Sequence, residues 1–235
     1  MRKLSVIIPT LNEERYVGSV LLDIAEQTRV PDEVLVVDAG STDGTVSVVR
    51  RFPFARLLDG EPPVARGRNL GGRSATGDVL IFLDADVRLP ETFFEGFLEE
   101  FERRRLGVAC PVYLPYRSTP VIEGFHALFN ALFKVSERVL PSGAGHCIAV
   151  AGDVFRGSRG FDPELKFDDI ELIRRLSRDH RFGIVAERVF VSDRRYREQG
   201  IPRTMLKYSL MALFFAFGKF RWANRVDYEF GAHER

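Results

Sequence analysis

The sequence predicts an α/β fold: a mixed, mainly parallel sheet flanked by helices, followed by a C-terminal helical segment. Three observations predict it. Short, apolar, β-branched runs recur through the first half of the 235-residue chain. Stretches with apolar residues at helical spacing fall between those runs. The runs end in short polar clusters, and open α/β sheets bind their ligands beyond the carboxyl ends of the strands.

Taken in order, Leu4–Ile8 reads as a buried strand, because it is short, apolar and rich in isoleucine and valine. Val17, Val20, Leu21 and Ile24 then follow at helical spacing. Pro31 and Asp32 mark a turn before a second buried strand, Val34–Val37. Ser41 to Thr45 supply cap residues for a helix through Val49. Arg56–Leu58 is a short third strand. Asn69–Ala75 is helical and Gly77 breaks it. Val79–Leu83, five apolar residues in a row, is the clearest strand of all. Pro90 opens a further helix through Phe101. The second half is less regular. Val121, Phe125, Leu128, Phe129, Leu132 and Phe133 form a helical apolar stripe. Gly143-Ala144-Gly145 precedes an apolar run, Cys147–Ala151. Gly160 to Pro163 is a turn, Asp168–Leu176 a helix with acids at its start, and Phe182–Val191 a last strand or pair of strands. These elements divide the chain into a unit over residues 1–193 and a basic, aromatic extension over 194–235.

Composition removes several functional classes. With 45% hydrophobic and 29% charged residues the chain is ordinary globular protein and not a disordered one. A formal net charge of +1 leaves no case for nucleic-acid binding through a basic surface. Two cysteines, Cys110 and Cys147, exclude a disulfide framework and a thiolate-built zinc site, and read as core residues. The apolar stretch after the basic N-terminus stops at Pro9, too soon for a secretory signal. The expected location is the cytoplasm.

Three polar clusters sit where strands end: Pro9-Thr10-Leu11-Asn12-Glu13, Asp38-Ala39-Gly40-Ser41 and Asp84-Ala85-Asp86. The third is the sharpest. Hard divalent cations such as Mg²⁺ take one or two carboxylates plus substrate phosphates, and such a cation neutralises charge growing on a leaving phosphate. A solvated turn also tolerates two acids. The five-residue apolar run before them and the two strand-end clusters upstream favour a metal site. Asp38 stands where an acid receives hydrogen bonds from a base or ribose, or where it caps the next turn. The glycine fingerprint of a dinucleotide site is absent after both early strands. Arg66 and Arg68, beside Asn69, are cationic forks suited to a diphosphate, or the solvated start of a helix. Asp168 and Asp169 open a helix. One of them suits a general base toward an acceptor hydroxyl, although favourable interaction with the helix dipole needs no catalysis. His146 is a candidate ligand or acceptor contact.

Together these residues resemble an inverting family 2 glycosyltransferase of the GT-A fold. The motifs are VIIPTLNEE (6–14), VVDAGSTDGT (36–45), ARGRN (65–69), GDVLIFLDAD (77–86), GFDPEL (160–165) and DDIEL (168–172). Their order and spacing carry the resemblance, roughly from Leu4 to Arg197. It implies that Pro9, Thr10, Asn12 and Glu13 line a nucleotide pocket, with Asp38 near the base and Gly40 and Ser41 beside it. Arg66 or Arg68, with Asn69, would lie near the nucleotide or diphosphate. Asp84 and Ala85 would sit by the ribose, and Asp86, with Asp84, would hold Mg²⁺ or Mn²⁺. Asp169 matches the second acid of the family's Glu-Asp pair, the usual base; the first acid here is Asp168, which leaves either as the base. The implied reaction moves a sugar from a UDP-, GDP- or dTDP-sugar to a saccharide, lipid-linked or small-molecule acceptor. His146, Arg194 and Arg195 are the candidate acceptor contacts.

The extension carries nine Lys/Arg against four acids between Arg194 and Arg235. Within it, Tyr208–Phe217 is almost wholly apolar but shorter than the roughly 20 residues that span a bilayer. Bases and aromatics around such a helix suit an interfacial position on an anionic membrane, or packing against the sheet or a second subunit. Two other functions compete. A nucleotidyltransferase would want a glycine-rich, basic phosphate loop, and Pro9–Glu14 has neither Gly nor Lys. A membrane-peripheral protein that binds nucleotide sugars without turnover is the non-catalytic alternative.

Overall fold

The computed structural model describes residues 2–116, 118–192, 194–218 and 220–224, without the side chains of Arg194, Arg195, Ala216 and Ala223. In chain order the elements are β1 (Leu4–Thr10), α1 (Val17–Ala25), β2 (Glu33–Asp38), α2 (Thr45–Val49), β3 (Ala55–Asp59), α3 (Val64–Ser74), β4 (Val79–Leu83) and α4 (Phe93–Arg103). There follow β5 (Val108–Pro115), α5 (Pro120–Ser136), β6 (Cys147–Ala151), α6 (Gly152–Gly157), α7 (Asp168–Leu176), β7 (Phe182–Val191), α8 (Arg194–Gln199), α9 (Ile201–Ala216) and α10 (Phe220–Ala223).

The sheet runs β3-β2-β1-β4-β6-β5-β7. β3, β2, β1 and β4 are parallel, β6 is antiparallel to β4 and β5, and β5 is parallel to β7. This is the mixed, mainly parallel sheet expected. Its directions decide what meets what. β1, β2 and β4 deliver Thr10, Asp38 and the residues after Leu83 to one edge. β6 runs the other way, and its first residue, Cys147, pairs with Leu83. His146 is thereby brought to the edge that carries Asp84.

Both faces of the sheet are covered, which is why β4 is buried at every position. Phe82 packs against Phe155 at 4.8 Å and Phe161 at 4.9 Å, and α4 contributes Phe93, Phe94, Phe97 and Phe101, all fully buried. α3 lies very close to the first strands and to Phe155. A Cβ on Gly71 would stand 2.4 Å from Ile7 Cγ2, and one on Gly72 2.3 Å from Phe155. Only glycine permits that approach, and the approach carries Arg68 inward.

The structure departs from the sequence reading at several elements. α3 begins at Val64, ahead of Asn69, and α4 at Phe93, after Pro90. Phe182–Val191, read as a strand or a pair of strands, is one strand, as the first of those readings has it. β5 and the short α6 were not predicted. Pro111 lies inside β5 and lacks an N–H, so the ladder slips between Cys110 and Val112. Met211 and Phe215 of α9 pack on Phe167 and Ile170 at the start of α7. Among the described residues no helix is long and apolar enough to cross a membrane.

Candidate active site

The loop after β1 and the loop after β2 are built as one unit. Asp38 is buried at 7% exposure, and its carboxylate closes the second loop. Oδ1 accepts from Thr10 Oγ1 at 3.0 Å and Ser41 Oγ at 2.6 Å; Oδ2 accepts from the Gly40 and Ser41 amides at 3.1 and 2.8 Å. Four bonds fill the usual acceptor capacity of a carboxylate. Asp38, expected beside a base, is thus engaged by its own loop. Gly40 sits at φ +86°, and Asn12 takes φ 56°, a region that asparagine tolerates better than most residues. Asn12 donates its amide to Ser41 Oγ at 2.8 Å and accepts the Thr42 amide at 2.8 Å. The Glu13 amide donates to Thr45 Oγ1 at 2.7 Å. Pro9 is half-buried at the end of β1. Ala85 is buried in the core at 4% exposure.

Arg68 is the hinge of the site. It is 5% exposed. Nη2 donates to Asp84 Oδ1 at 2.9 Å and to the Gly145 carbonyl at 3.3 Å, Nη1 donates to Asp168 Oδ1 at 3.1 Å, and the guanidinium lies 5.3 Å from the centre of the Phe161 ring. Burial opposes this cation, but Asp168, Asp84 and Asp169 outweigh it and raise the group further. Its neighbours take other parts. Asn69 is bonded both ways to Phe161, Nδ2 to the carbonyl and Oδ1 to the amide, each at 2.8 Å, and so fixes the Gly160 turn. Arg66 is half-exposed and pairs with Glu61 at 3.2 Å, outside the cluster around Arg68.

Beside Arg68 lie Asp84, Asp86 and His146, each offering one ligand atom, and the three atoms all fall within 4.8 Å of one another. His146 Nδ1 is 3.0 Å from Asp84 Oδ2, and the Asp84 amide donates to the His146 carbonyl at 3.0 Å. Burial pushes Asp84 up, yet the hydrogen bond with His146 and the charge of Arg68 prevail and hold it at about 2. Two carboxylates and an imidazole, the first ionised at neutral pH, fit a divalent cation. Tyr113 Oη donates to the carbonyls of Ala144 and, at 3.1 Å, Cys147, which anchors the segment that carries His146.

The acid pair closes the other side. Asp168 is 2% exposed and held by Arg68. Asp169 is less buried; among the described residues its Oδ1, like Oδ2 of Asp168, has no hydrogen-bond partner. Burial pushes both carboxyls up and the Arg68 charge pulls back only in part. Gly145 lies against Asp169: a Cβ there would stand 2.3 Å from Oδ2. The sequence reading assigned no site role to Gly145, Phe161 or Tyr113. Gly145 stood in the glycine stretch before His146 and Phe161 in the GFDPEL motif; Tyr113 gave no signal. Of the acceptor candidates, His146 lies in the Asp84–Asp86 cluster, while the side chains of Arg194 and Arg195 lie outside the described residues.

Comparisons with known proteins show the family and the fold. The model for glycosyl transferase family 2 matches residues 5–150, and the chain belongs to that family. Its sheet and flanking helices are those of GT-A glycosyltransferases. It is 41% identical over 103 residues, 40% of its length, to validoxylamine A glucosyltransferase of Streptomyces hygroscopicus subsp. limoneus. Two solved structures share the fold: Staphylococcus aureus TarS 1–349 in complex with UDP (TM-score 0.66, 21% identity, 81% of this chain), and mannosyltransferase PcManGT from Pyrobaculum calidifontis in complex with GDP-Man and Mn²⁺ (TM-score 0.68, 24% identity, 80% of this chain). The chain spans 23% of the Streptomyces enzyme and 60% and 56% of the two structures.

Proposed function

We propose that the chain transfers a sugar, with inversion, from a nucleoside-diphosphate sugar to an acceptor hydroxyl in glycan or glycolipid assembly. The observation that carries this reading is Arg68, which binds at once an acid of the candidate metal cluster and an acid of the candidate base pair. One guanidinium fork thereby fixes where a leaving group and an attacking group would lie. In this reading residues 1–193 carry the chemistry and 194–235 are an extension.

The loops bearing Pro9, Thr10, Asn12, Glu13, Asp38, Gly40 and Ser41 would frame the nucleotide. Their mutual hydrogen bonds keep the frame in place before a donor arrives. Asp84, Asp86 and His146 would hold a divalent cation, Mg²⁺ or Mn²⁺, which when bound neutralises charge on a departing diphosphate. Asp169 takes the acceptor's hydroxyl proton. The oxygen bonds to the anomeric carbon as the bond to the diphosphate oxygen breaks, and that electron pair leaves with the nucleoside diphosphate. A single in-line displacement inverts the centre. Asp169 suits the base better than Asp168, because Asp168 is 2% exposed and already paired with Arg68 while Asp169 is less buried. Its raised titration makes it a stronger base than an ordinary aspartate. The solved neighbours with UDP and with GDP-Man and Mn²⁺ support a nucleotide-sugar donor.

The test is a melting-temperature panel of UDP-, GDP- and dTDP-sugars, each with Mn²⁺, Mg²⁺ or EDTA, on the wild type and His146→Ala. A ligand that binds only the native state raises the melting temperature. The expected outcome is a shift with one nucleotide, abolished by EDTA and weakened roughly tenfold or more in apparent metal affinity by His146→Ala. A shift equal in EDTA and Mn²⁺ would refute the metal site, and no shift with any donor would refute the donor reading.

A further inference from the structure

α9 is apolar on two opposite faces, and only one of them is used. Thr204, Met211 and Phe215 are buried, and Tyr208 lies on the same stripe, its ring 6.4 Å from that of Phe125 in α5. Offset by two positions, about 200° around the helix, runs a second stripe: Leu206, Leu210, Leu213 and Phe217, exposed at 70%, 42%, 53% and 72%. α5 repeats the pattern. Ile122 is its buried residue, while Val121, Leu128, Leu132, Val135 and, just past its end, Val139 are all more than half exposed. Soluble surfaces scatter single apolar residues; here two neighbouring helices, in contact through Phe125 and Tyr208, each carry an exposed apolar row.

Charge identifies what covers it. Between Arg194 and Asn224 the sequence has seven Lys/Arg and one acid, Glu198. Arg203 and Arg221 are exposed, Arg221 pairing with the exposed Glu164 at 3.3 Å, and Trp222 next to Arg221 is 51% exposed. A second copy of this chain, related by a two-fold axis, would set that basic segment against itself. An anionic bilayer satisfies both features: it takes the apolar rows and attracts the bases, and Trp favours the water–lipid boundary. We propose that the outer faces of α5 and α9 dock on an anionic lipid bilayer, with both helices lying in the interface. This would not be a remote anchor. α9 packs through Phe215 on Phe167, the residue before Asp168, with ring centres 5.4 Å apart.

The experiment is vesicle flotation with phosphatidylcholine alone and with 30% phosphatidylglycerol, on the wild type, Leu210→Glu/Leu213→Glu, and Leu22→Glu as a control on an exposed site of α1. The wild type and Leu22→Glu should float with the anionic vesicles only, less so as salt rises, and the double variant should lose at least tenfold in binding. No flotation of the wild type, or equal flotation of the double variant, overturns the proposal. So does a wild-type dimer that the double variant makes monomeric. The donor melting shift should be unchanged in the double variant, so a failure here and a failure of the donor site are read separately.

Discussion

Arg68 holds two acids that come from opposite ends of the fold, Asp84 at 2.9 Å and Asp168 at 3.1 Å. Inside a protein a charge without a partner is expensive, and removing one member of a buried pair costs about 3–5 kcal/mol. Arg68→Met leaves Asp168 buried with no cation, and urea unfolding should show a loss on the order of that figure. Arg68→Lys should recover part of it, since an ammonium keeps the charge but cannot fork to both acids. An unchanged unfolding midpoint in Arg68→Met would contradict the bridge. The sequence marks Arg68 as a cationic fork suited to a diphosphate, but not as the link to Asp168, a hundred positions away. Asp84 and Asp86 are legible for the opposite reason. They follow directly on an apolar run, and that run becomes a strand whose end faces the site. His146 has no such label. It reaches Asp84 only because β6 is antiparallel to β4, and nothing local in Cys147–Ala151 states a strand's direction.

Elements place these residues by how closely they pack. α3 rides on β1 and β2 through Gly71, where an added methyl would press on Ile7 and, at 3.0 Å, on Val37. Overpacking a filled core costs about 1–3 kcal/mol. Gly71→Ala should lose that much in chemical denaturation and also weaken donor binding, since the helix that moves is the one bearing Arg68. A stable variant with wild-type donor affinity would show that the close approach is not needed. α5 and α8 meet through His126 and Tyr196, 3.1 Å apart. Burial, with His146 nearby, lowers His126 to about 4. A group whose folded value lies below its unfolded value, near 6.5, contributes stability that is complete above pH 6.5 and lost as pH falls toward 4. Melting temperature should therefore drop across that window, and less steeply in His126→Gln. Equal slopes would remove His126 from the account. Strands with unbroken apolar runs were legible and β5 was not, because Pro111 interrupts its pattern where the ladder itself is irregular.

At the scale of the molecule the parallel half of the sheet gathers the loops after β1, β2 and β4, and the antiparallel β6 and α7 bring His146 and the acid pair to the same edge. The first half was readable because each local pattern there agrees with the fold it enters. The second half mixes strand directions and helices with two apolar faces, so local pattern does not fix its arrangement. The account's central claim is that the joined halves form one catalytic centre with Asp169 as its base. The direct measurement is nucleoside diphosphate release from the donor that the melting panel identifies, for the wild type and Asp169→Asn, with donor binding followed in parallel. General-base catalysis contributes about 10²–10⁴-fold. The account predicts a loss of that size in Asp169→Asn with the donor-induced melting shift intact; release at the wild-type rate would contradict it.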